Sequence, residues 1–386
     1  MYPGVVRSFN KTEGRKRLED VNIHKQEFIG QTEALEVAQK FANLIRGKTI
    51  IITGVNPLGI GMATAEAFAS QSPAHLIITG RTRSKLEESI NALKVKFPDV
   101  NYRLLEMDLS KQQSVRVGAA EVLAWSDVPT VDILVNNAGV ALLPKRTLSE
   151  DGIELTFATN HVGHFLFTNL IMPKLIRAAA QAQDNGATRI INVTSGSPRW
   201  GGMRWSDMSF DRPSAELPEE ERPNLALLKA WGIITPGDNG ENLSYIPLEA
   251  YNQSKVANLL FSVGLTQRLH NRHGILGLAA HPGVVMRTEL GRSAGGELWD
   301  GVAQRAGSSV KTLGAGAATT LVAALNPKLN RRPGDSVEKD NGKENYGAYL
   351  VDCQISDTAN PRAVSTTEAE KLWELSEKLV GETFSW

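Results

Sequence analysis

A run of β-branched residues, Lys48-Thr-Ile-Ile-Ile-Thr53, passes straight into a glycine-rich turn, Gly54-Val-Asn-Pro-Leu-Gly59-Ile-Gly61. The pattern then becomes helical through Ala63, Ala65, Ala67 and Phe68. A short apolar run without alternation reads as a strand buried on both faces. A glycine-rich turn between strand and helix lets backbone approach a diphosphate, and the helix N-terminus adds amide donors and a favourable dipole. Few folds accommodate that junction. Gly54, Asn56, Leu58, Gly59, Ile60 and Gly61 are therefore candidate cofactor contacts.

Strands and helices go on alternating. His75 to Thr79, Tyr102 to Leu105 and Val131 to Asn136 read as strands, with helices over Ser84 to Val95 and through the Val115 to Leu123 region. This rhythm predicts an α/β fold with a doubly wound parallel sheet of Rossmann type and helices on both faces. Ligands then sit at the carboxyl ends of the strands. Asp108 and Leu109, and Asn136 with Asn137-Ala138-Gly139, fall at that edge. The second strand ends at Gly80-Arg81. An acid there would accept from a ribose 2′-hydroxyl and mark NAD. An arginine suits the 2′-phosphate of NADP.

Gly152 to Gln183 reads as one long helical stretch containing Asn160-His161-Val162-Gly163-His164. Two histidines three apart could bind a metal, but no third ligand is near in sequence, so packing is the expectation and no metal is predicted. An amide such as Asn160 inside a helix can disturb the backbone ladder. Arg189 to Ser195 is a fifth strand ending in hydroxyls, and Ser195 could hydrogen-bond a substrate oxygen as charge develops on it.

Tyr251-Asn-Gln-Ser-Lys255 opens a further helix, with Val256, Leu259, Leu260, Val263 and Leu265 at helical spacing. Residues four apart share a face, so the Tyr251 phenol and the Lys255 ammonium should lie together. A neighbouring cation is expected to lower the phenol's pKa and suit it to proton exchange with an alcohol or alkoxide. Between Ser195 and Tyr251, residues 196–247 break the rhythm and carry Trp200, Trp205 and Trp231. An insertion at a ligand edge reads as a lid, and its aromatics predict a fairly large apolar substrate.

The remainder reads as a strand at Ile275 to Ala280, the turn His281-Pro282-Gly283-Val284-Val285, a helix at Ala315 to Leu325, and a polar surface loop at Lys328 to Asn345. A last strand at Tyr346 to Val351 and an amphipathic helix at Thr366 to Val380 complete it. Residues 1–30 read as a solvated arm and the stretch from Gln31 as a helix ended by Gly47, giving an N-terminal extension over 1–46 and one Rossmann-type domain over 47–386. Lys+Arg and Asp+Glu balance at 42 each, so no net field steers the chain to nucleic acid or an anionic membrane. The one cysteine, Cys353, excludes an internal disulfide. It suits a reducing compartment, and with no signal-like or membrane-length apolar run the expected location is cytoplasmic.

Taken together, these motifs resemble the short-chain dehydrogenase/reductase family from about Lys48 to the C-terminus. Leu155 to Thr168 is most similar to the retinol-dehydrogenase and WW-domain-oxidoreductase branch. The insertion and the stretch around Asp352-Cys353-Gln354 are more similar to fungal members of unknown substrate. The resemblance implies that Tyr251 is the acid-base, that Lys255 lowers its pKa and holds the nicotinamide ribose, that Ser195 orients the substrate, and that Asn160 holds a relay water. It implies that Gly54, Gly59 and Gly61 cradle the diphosphate, Asp108 reads the adenine, Asn137 to Gly139 line the cofactor, and Pro282-Gly283 meets the nicotinamide, with Val285 and Thr288 following. Two departures stand out: four residues separate Gly54 from Gly59 where three are usual, and one extra residue precedes Thr288. Family members often pair through the helices holding Asn160 and Tyr251, which admits a homodimer that the insertion could block.

The expected activity is NADP(H)-dependent hydride transfer to a ketone or aldehyde, with alcohol oxidation as the reverse use of the same residues. A non-redox cofactor-binding protein, such as a cyclase or regulator, would not require Asn160, Ser195, Tyr251 and Lys255 together. An interaction scaffold built on the N-terminal helix would lose function without residues 1–46 yet still bind NADPH.

Overall fold

The computed structural model describes residues 27–234, 237, 239–286, 288–291, 304, 307–330 and 344–386. The expected arm up to residue 26 and most of the polar loop before Asn345 lie outside them.

The chain enters through helices α1 (Ala34–Lys40) and α2 (Ala42–Ile45). It alternates through β1 (Thr49–Thr53), α3 (Ile60–Ala69), β2 (His75–Gly80), α4 (Arg83–Lys96), β3 (Asn101–Glu106), α5 (Gln112–Ala124) and β4 (Ile133–Asn136). Where one long helix was expected, there is a short α6 (Leu155–Phe157), a π-helical turn at Ala158–Val162, α7 (Gly163–Leu170) and α8 (Met172–Gln181). Pro173 in the first turn of α8 explains that last break, since proline fits only the start of a helix. Next come β5 (Thr188–Val193), α9 (Leu225–Ala230) within the insertion, α10 (Pro247–His273) and β6 (Ile275–His281). The helix carrying Tyr251 thus begins one turn earlier than the sequence suggested.

Two short strands, β7 (Val284–Val285) and β8 (Val310–Lys311), pair in parallel and were not foreseen. After α11 (Leu313–Leu325), the expected last strand shortens to β9 (Tyr349–Val351), because Tyr346–Ala348 forms a 3-10 turn. An unforeseen β10 (Gln354–Ile355) pairs antiparallel with β9 through Asp352 and Cys353, both at positive φ. Helix α12 (Thr366–Val380) closes the chain, with Ser365 at its N-cap and Gly381 in the left-handed C-cap position.

The sheet runs β3-β2-β1-β4-β5-β6-β9-β10 and is parallel except at its β9–β10 edge. All five β1 residues are buried, as expected of a strand covered on both faces. On one face Phe28, Val37, Ala38 and Ile45 share a core with Phe68 and Leu321. On the other, Phe165, Phe261, Leu372 and Trp373 pack together. Each such large apolar side chain contributes roughly 1.5–3 kcal/mol on leaving water. Strand order reverses direction between β1 and β4, so the crevice for a ligand opens at the carboxyl ends of those two strands.

Candidate active site

The glycine turn after β1 meets the turn after β4 at contact distance. Gly54 has φ +70, and a Cβ added there would come 2.5 Å from Ala138 Cα. One added at Gly61 would come 2.7 Å from Asn137 Nδ2. Thr53 Oγ1 accepts from the amides of Asn137 at 2.9 Å and Ala138 at 3.0 Å. The larger turn is taken up by Pro57 and an exposed Leu58, while Asn56 folds under Gly59. No side chain caps α3, so the amides of its first turn remain for another acceptor, and the buried Asn56 Oδ1 has no partner. An uncapped helix start beside a glycine cradle suits a diphosphate. Arg81 at the end of β2 is exposed and forms no ion pair or hydrogen bond with any described residue. Asp108 lies after β3, where its carboxylate accepts from Ser110 N at 3.0 Å and Ser110 Oγ at 2.7 Å. Leu109 is buried against α7, its carbonyl 2.2 Å from where a Cβ on Gly163 would sit.

Asn136 does not reach the ligand edge. It is fully buried, and its amide donates to Thr168 Oγ1 and Asn192 Oδ1, because the last residue of β4 faces α7. Gly139 does face the site: a Cβ there would lie 3.2 Å from Asn160 Oδ1 and 3.5 Å from Lys255 Nζ. Pro282, Gly283 and Val285 stand opposite the glycine turn. A Cβ on Gly316 of α11 would meet Val285, Ile60 and the Pro282 carbonyl at once. Thr288 is half-buried. The residues after it run from Lys85, paired with Glu289 at 2.7 Å, to Ala141, whose amide bonds the Leu290 carbonyl at 3.2 Å. That segment crosses the mouth of the crevice.

Asn160 sits in the π-helical turn. Its side chain accepts from Val140 N at 2.8 Å and donates to Val140 O and Ser254 Oγ at 2.9 Å each. The amide is committed to the protein, so a relay water would have to use the Asn160 carbonyl. That carbonyl accepts from His164 Nδ1 at 2.9 Å. Nε2 of the same ring is therefore the acceptor of a neutral imidazole and takes the Thr53 hydroxyl at 2.8 Å. Burial pushes the His164 pKa down to about 4 and that of His161 to about 3, so both rings are neutral. His161 points elsewhere, bonding Ser376 Oγ at 2.7 Å.

Tyr251 and Lys255 share one face of α10, with Nζ 5.6 Å from the phenol ring centroid. Lys255 donates to the Val193 carbonyl at 2.9 Å, and the Tyr251 phenol stands beside Ser195. The expected acidic phenol is not found in this state. Burial pushes Tyr251 up to about 12 and Lys255 down to about 7. A partly neutral amine exerts little pull on a phenolate, so desolvation wins.

Trp205 donates to Glu368 at 2.6 Å and lies under Lys371, so it ties the insertion to α12. Trp200 packs edge-on against Trp231. The cavity of about 260 Å³ beneath the insertion has Trp200 and Phe210 in its wall, but also Arg204, Arg222, Arg362, Glu220, Glu221 and Glu249. Trp205 and Trp231 make packing contacts, while Trp200 and Phe210 share the cavity wall with charged groups. Tyr251, Ser195, Lys255 and Asn160 do not line that cavity.

A family profile described as short chain dehydrogenase matches residues 48–207. The oxidoreductase fscI of Fusarium equiseti is 40% identical over 256 residues, which is 66% of this chain and 94% of that protein. The chain belongs to the short-chain dehydrogenase/reductase family. Within it, a WW domain-containing oxidoreductase of Danio rerio is 31% identical, over 95% of this chain and 76% of that protein. A solved structure of an uncharacterized Mycobacterium paratuberculosis protein superposes with a TM-score of 0.58 at 27% identity, covering 89% of this chain and 96% of that one. As a short-chain dehydrogenase/reductase the protein is an oxidoreductase that binds a nicotinamide dinucleotide. Among the described residues, no helix is long and apolar enough to cross a membrane.

Thr53, His164, Ser254, Ser197 and Asn252 were not singled out in advance as site residues. For His164 a signal existed: it stands four residues after Asn160, the spacing at which a ring can reach a helical carbonyl.

Proposed function

We propose that the protein is an NADP(H)-dependent carbonyl reductase, able to run as an alcohol dehydrogenase in reverse. The observation that carries this reading is the meeting of Tyr251, Ser195, Lys255 and Asn160 beside Gly139, at the crevice where strand order reverses. The bound dinucleotide supplies or accepts hydride. Gly54, Gly59 and Gly61 with the open start of α3 would hold its diphosphate, and the exposed Arg81 would hold a 2′-phosphate. Ser195 fixes the substrate oxygen, and Tyr251 delivers a proton to it as negative charge develops. Lys255, held against Val193, favours the phenolate that remains whenever it is protonated. The high Tyr251 pKa of the ligand-free protein keeps the phenol protonated and ready to donate, which suits reduction.

The deciding experiment is a carbonyl and alcohol panel followed at the nicotinamide absorbance, with both cofactors. NADPH-dependent reduction is expected, and Tyr251→Phe should lower kcat by on the order of a hundredfold or more. Full activity in Tyr251→Phe would end this reading. Arg81→Glu should reverse the cofactor preference, through KM for NADPH more than through kcat. A wild-type enzyme that prefers NADH would remove the argument from Arg81.

A further inference from the structure

Ser195 is the start of a hydrogen-bonded chain that leaves the catalytic groups. Its Oγ donates to Ser197 Oγ at 2.7 Å, Ser197 Oγ donates to Asn252 Oδ1 at 2.6 Å, and Asn252 Nδ2 donates to Glu249 Oε1 at 3.0 Å. The Ser197 amide also donates back to Ser195 Oγ at 3.0 Å. Ser197 and Asn252 are buried, and with Glu249 they line the cavity beneath the insertion.

The chemistry of the last group dictates the direction of all the others. A carboxylate only accepts, so the Asn252 amide must turn its nitrogen toward Glu249. Its oxygen then faces Ser197 and can only accept, which takes the single hydrogen of the Ser197 hydroxyl. Ser197 Oγ is left able only to accept, and it takes the single hydrogen of Ser195. Toward Tyr251, Ser195 therefore presents a lone pair. We propose that Glu249, Asn252 and Ser197 are positioning residues that set which way the Ser195 hydroxyl points. The proposal rests on the role given to Ser195 above.

A substrate oxygen must then draw the Ser195 proton away from Ser197 as it binds. Arg204 faces Glu249, and Arg222, Arg362, Glu220 and Glu221 share its cavity. Burial pushes the Glu249 carboxyl above its ordinary range, against the Asn252 bond and the Arg204 charge, so the chain takes this polarity at a pH where Glu249 is ionised.

A bond from Ser195 to a Tyr251 phenolate would stabilise that phenolate, and the chain withholds it. The test is a titration of the ligand-free full chain labelled with 13Cζ-tyrosine, assigned with Tyr251→Phe. Ser197→Ala and Asn252→Ala release the Ser195 proton and should lower the Tyr251 midpoint by about one pH unit. Glu249→Gln, which can donate as well as accept, should move it the same way by less. Ser197→Thr keeps the hydroxyl and should titrate like the wild type. In turnover, Ser197→Ala should lose roughly tenfold in kcat with KM within about twofold, and Ser197→Thr should recover it. A Tyr251 midpoint unmoved in both alanine variants would overturn the proposal. Loss of the oxidoreductase reading would show separately, as full turnover by Tyr251→Phe, while the titration would still decide the direction of the chain.

Discussion

Tyr251 and Lys255 are each pushed toward their neutral form by burial, and only one of them bears a stability cost across ordinary pH. Lys255 titrates near 7 in the folded protein against its ordinary 10.5. Between those values the unfolded chain binds the proton that the folded chain has released, so stability rises with pH through that window. Below pH 7 both states are protonated and the full cost of burying the ammonium remains. At about 1.4 kcal/mol per pH unit the cost is of order a few kcal/mol. Lys255→Met should thus raise Tm most at pH 6, with the gain fading toward pH 10, while activity is lost. The Val193 carbonyl keeps a partner, since Asn258 Nδ2 also donates to it at 3.1 Å. A pH-independent difference in Tm would contradict this account. The pairing of Tyr251 with Lys255 was legible because helical spacing alone puts them together. Their charge states were not, because desolvation depends on what three other elements bring to the same spot. Ser197 and Asn252 were hidden for a similar reason: their bond to one another joins two separate segments.

Elements placed by period were the most readable. β1, β2 and α12 fall within a residue or so of expectation, because burial on both faces or one amphipathic stripe writes itself into composition. The π-helical turn at Ala158–Val162 leaves no such mark. It is fixed by Asn160 gripping Val140 and by Gly163 lying flush against Leu109. β10 was invisible because it is two residues long and its turn uses Asp352 and Cys353 where glycine would announce it. Gly163 supplies a test of the turn's origin. A methyl group there would overlap the Leu109 carbonyl, and backbone cannot yield as a side chain can. Gly163→Ala should therefore cost roughly 1–3 kcal/mol in denaturant unfolding. It should also lower kcat at temperatures where the variant is fully folded, since Asn160 moves with the turn. A stable variant with unchanged kcat would show that the turn does not depend on this contact.

At the scale of the molecule, α12 decides which surfaces are available. It lies along α10, the helix carrying Tyr251, and touches the Asn160 turn and Phe165 of α7. Trp373 packs against Phe165 at 5.0 Å and Phe261 at 5.9 Å between ring centroids, and Ser376 bonds His161. A Cβ on Gly264 would meet Trp373 at 3.2 Å, so the two helices touch closely. The helix thus covers Phe165 and Phe261 on the side where the sequence reading admitted a homodimer and named the insertion as the obstacle. The insertion is linked to the same helix through Trp205, so both act from one side. A protein with this face covered should sediment as a monomer, or pair through some other surface. Removing residues 366–386 uncovers Phe165 and Phe261, an apolar patch of the kind that drives association. The truncated protein should shift to dimers or aggregate in sedimentation, and Trp373→Ala should do so partially while costing roughly 3–5 kcal/mol of stability. A wild-type dimer dispersed by a charge placed on α7, with α12 intact, would show that the helix does not shield this face.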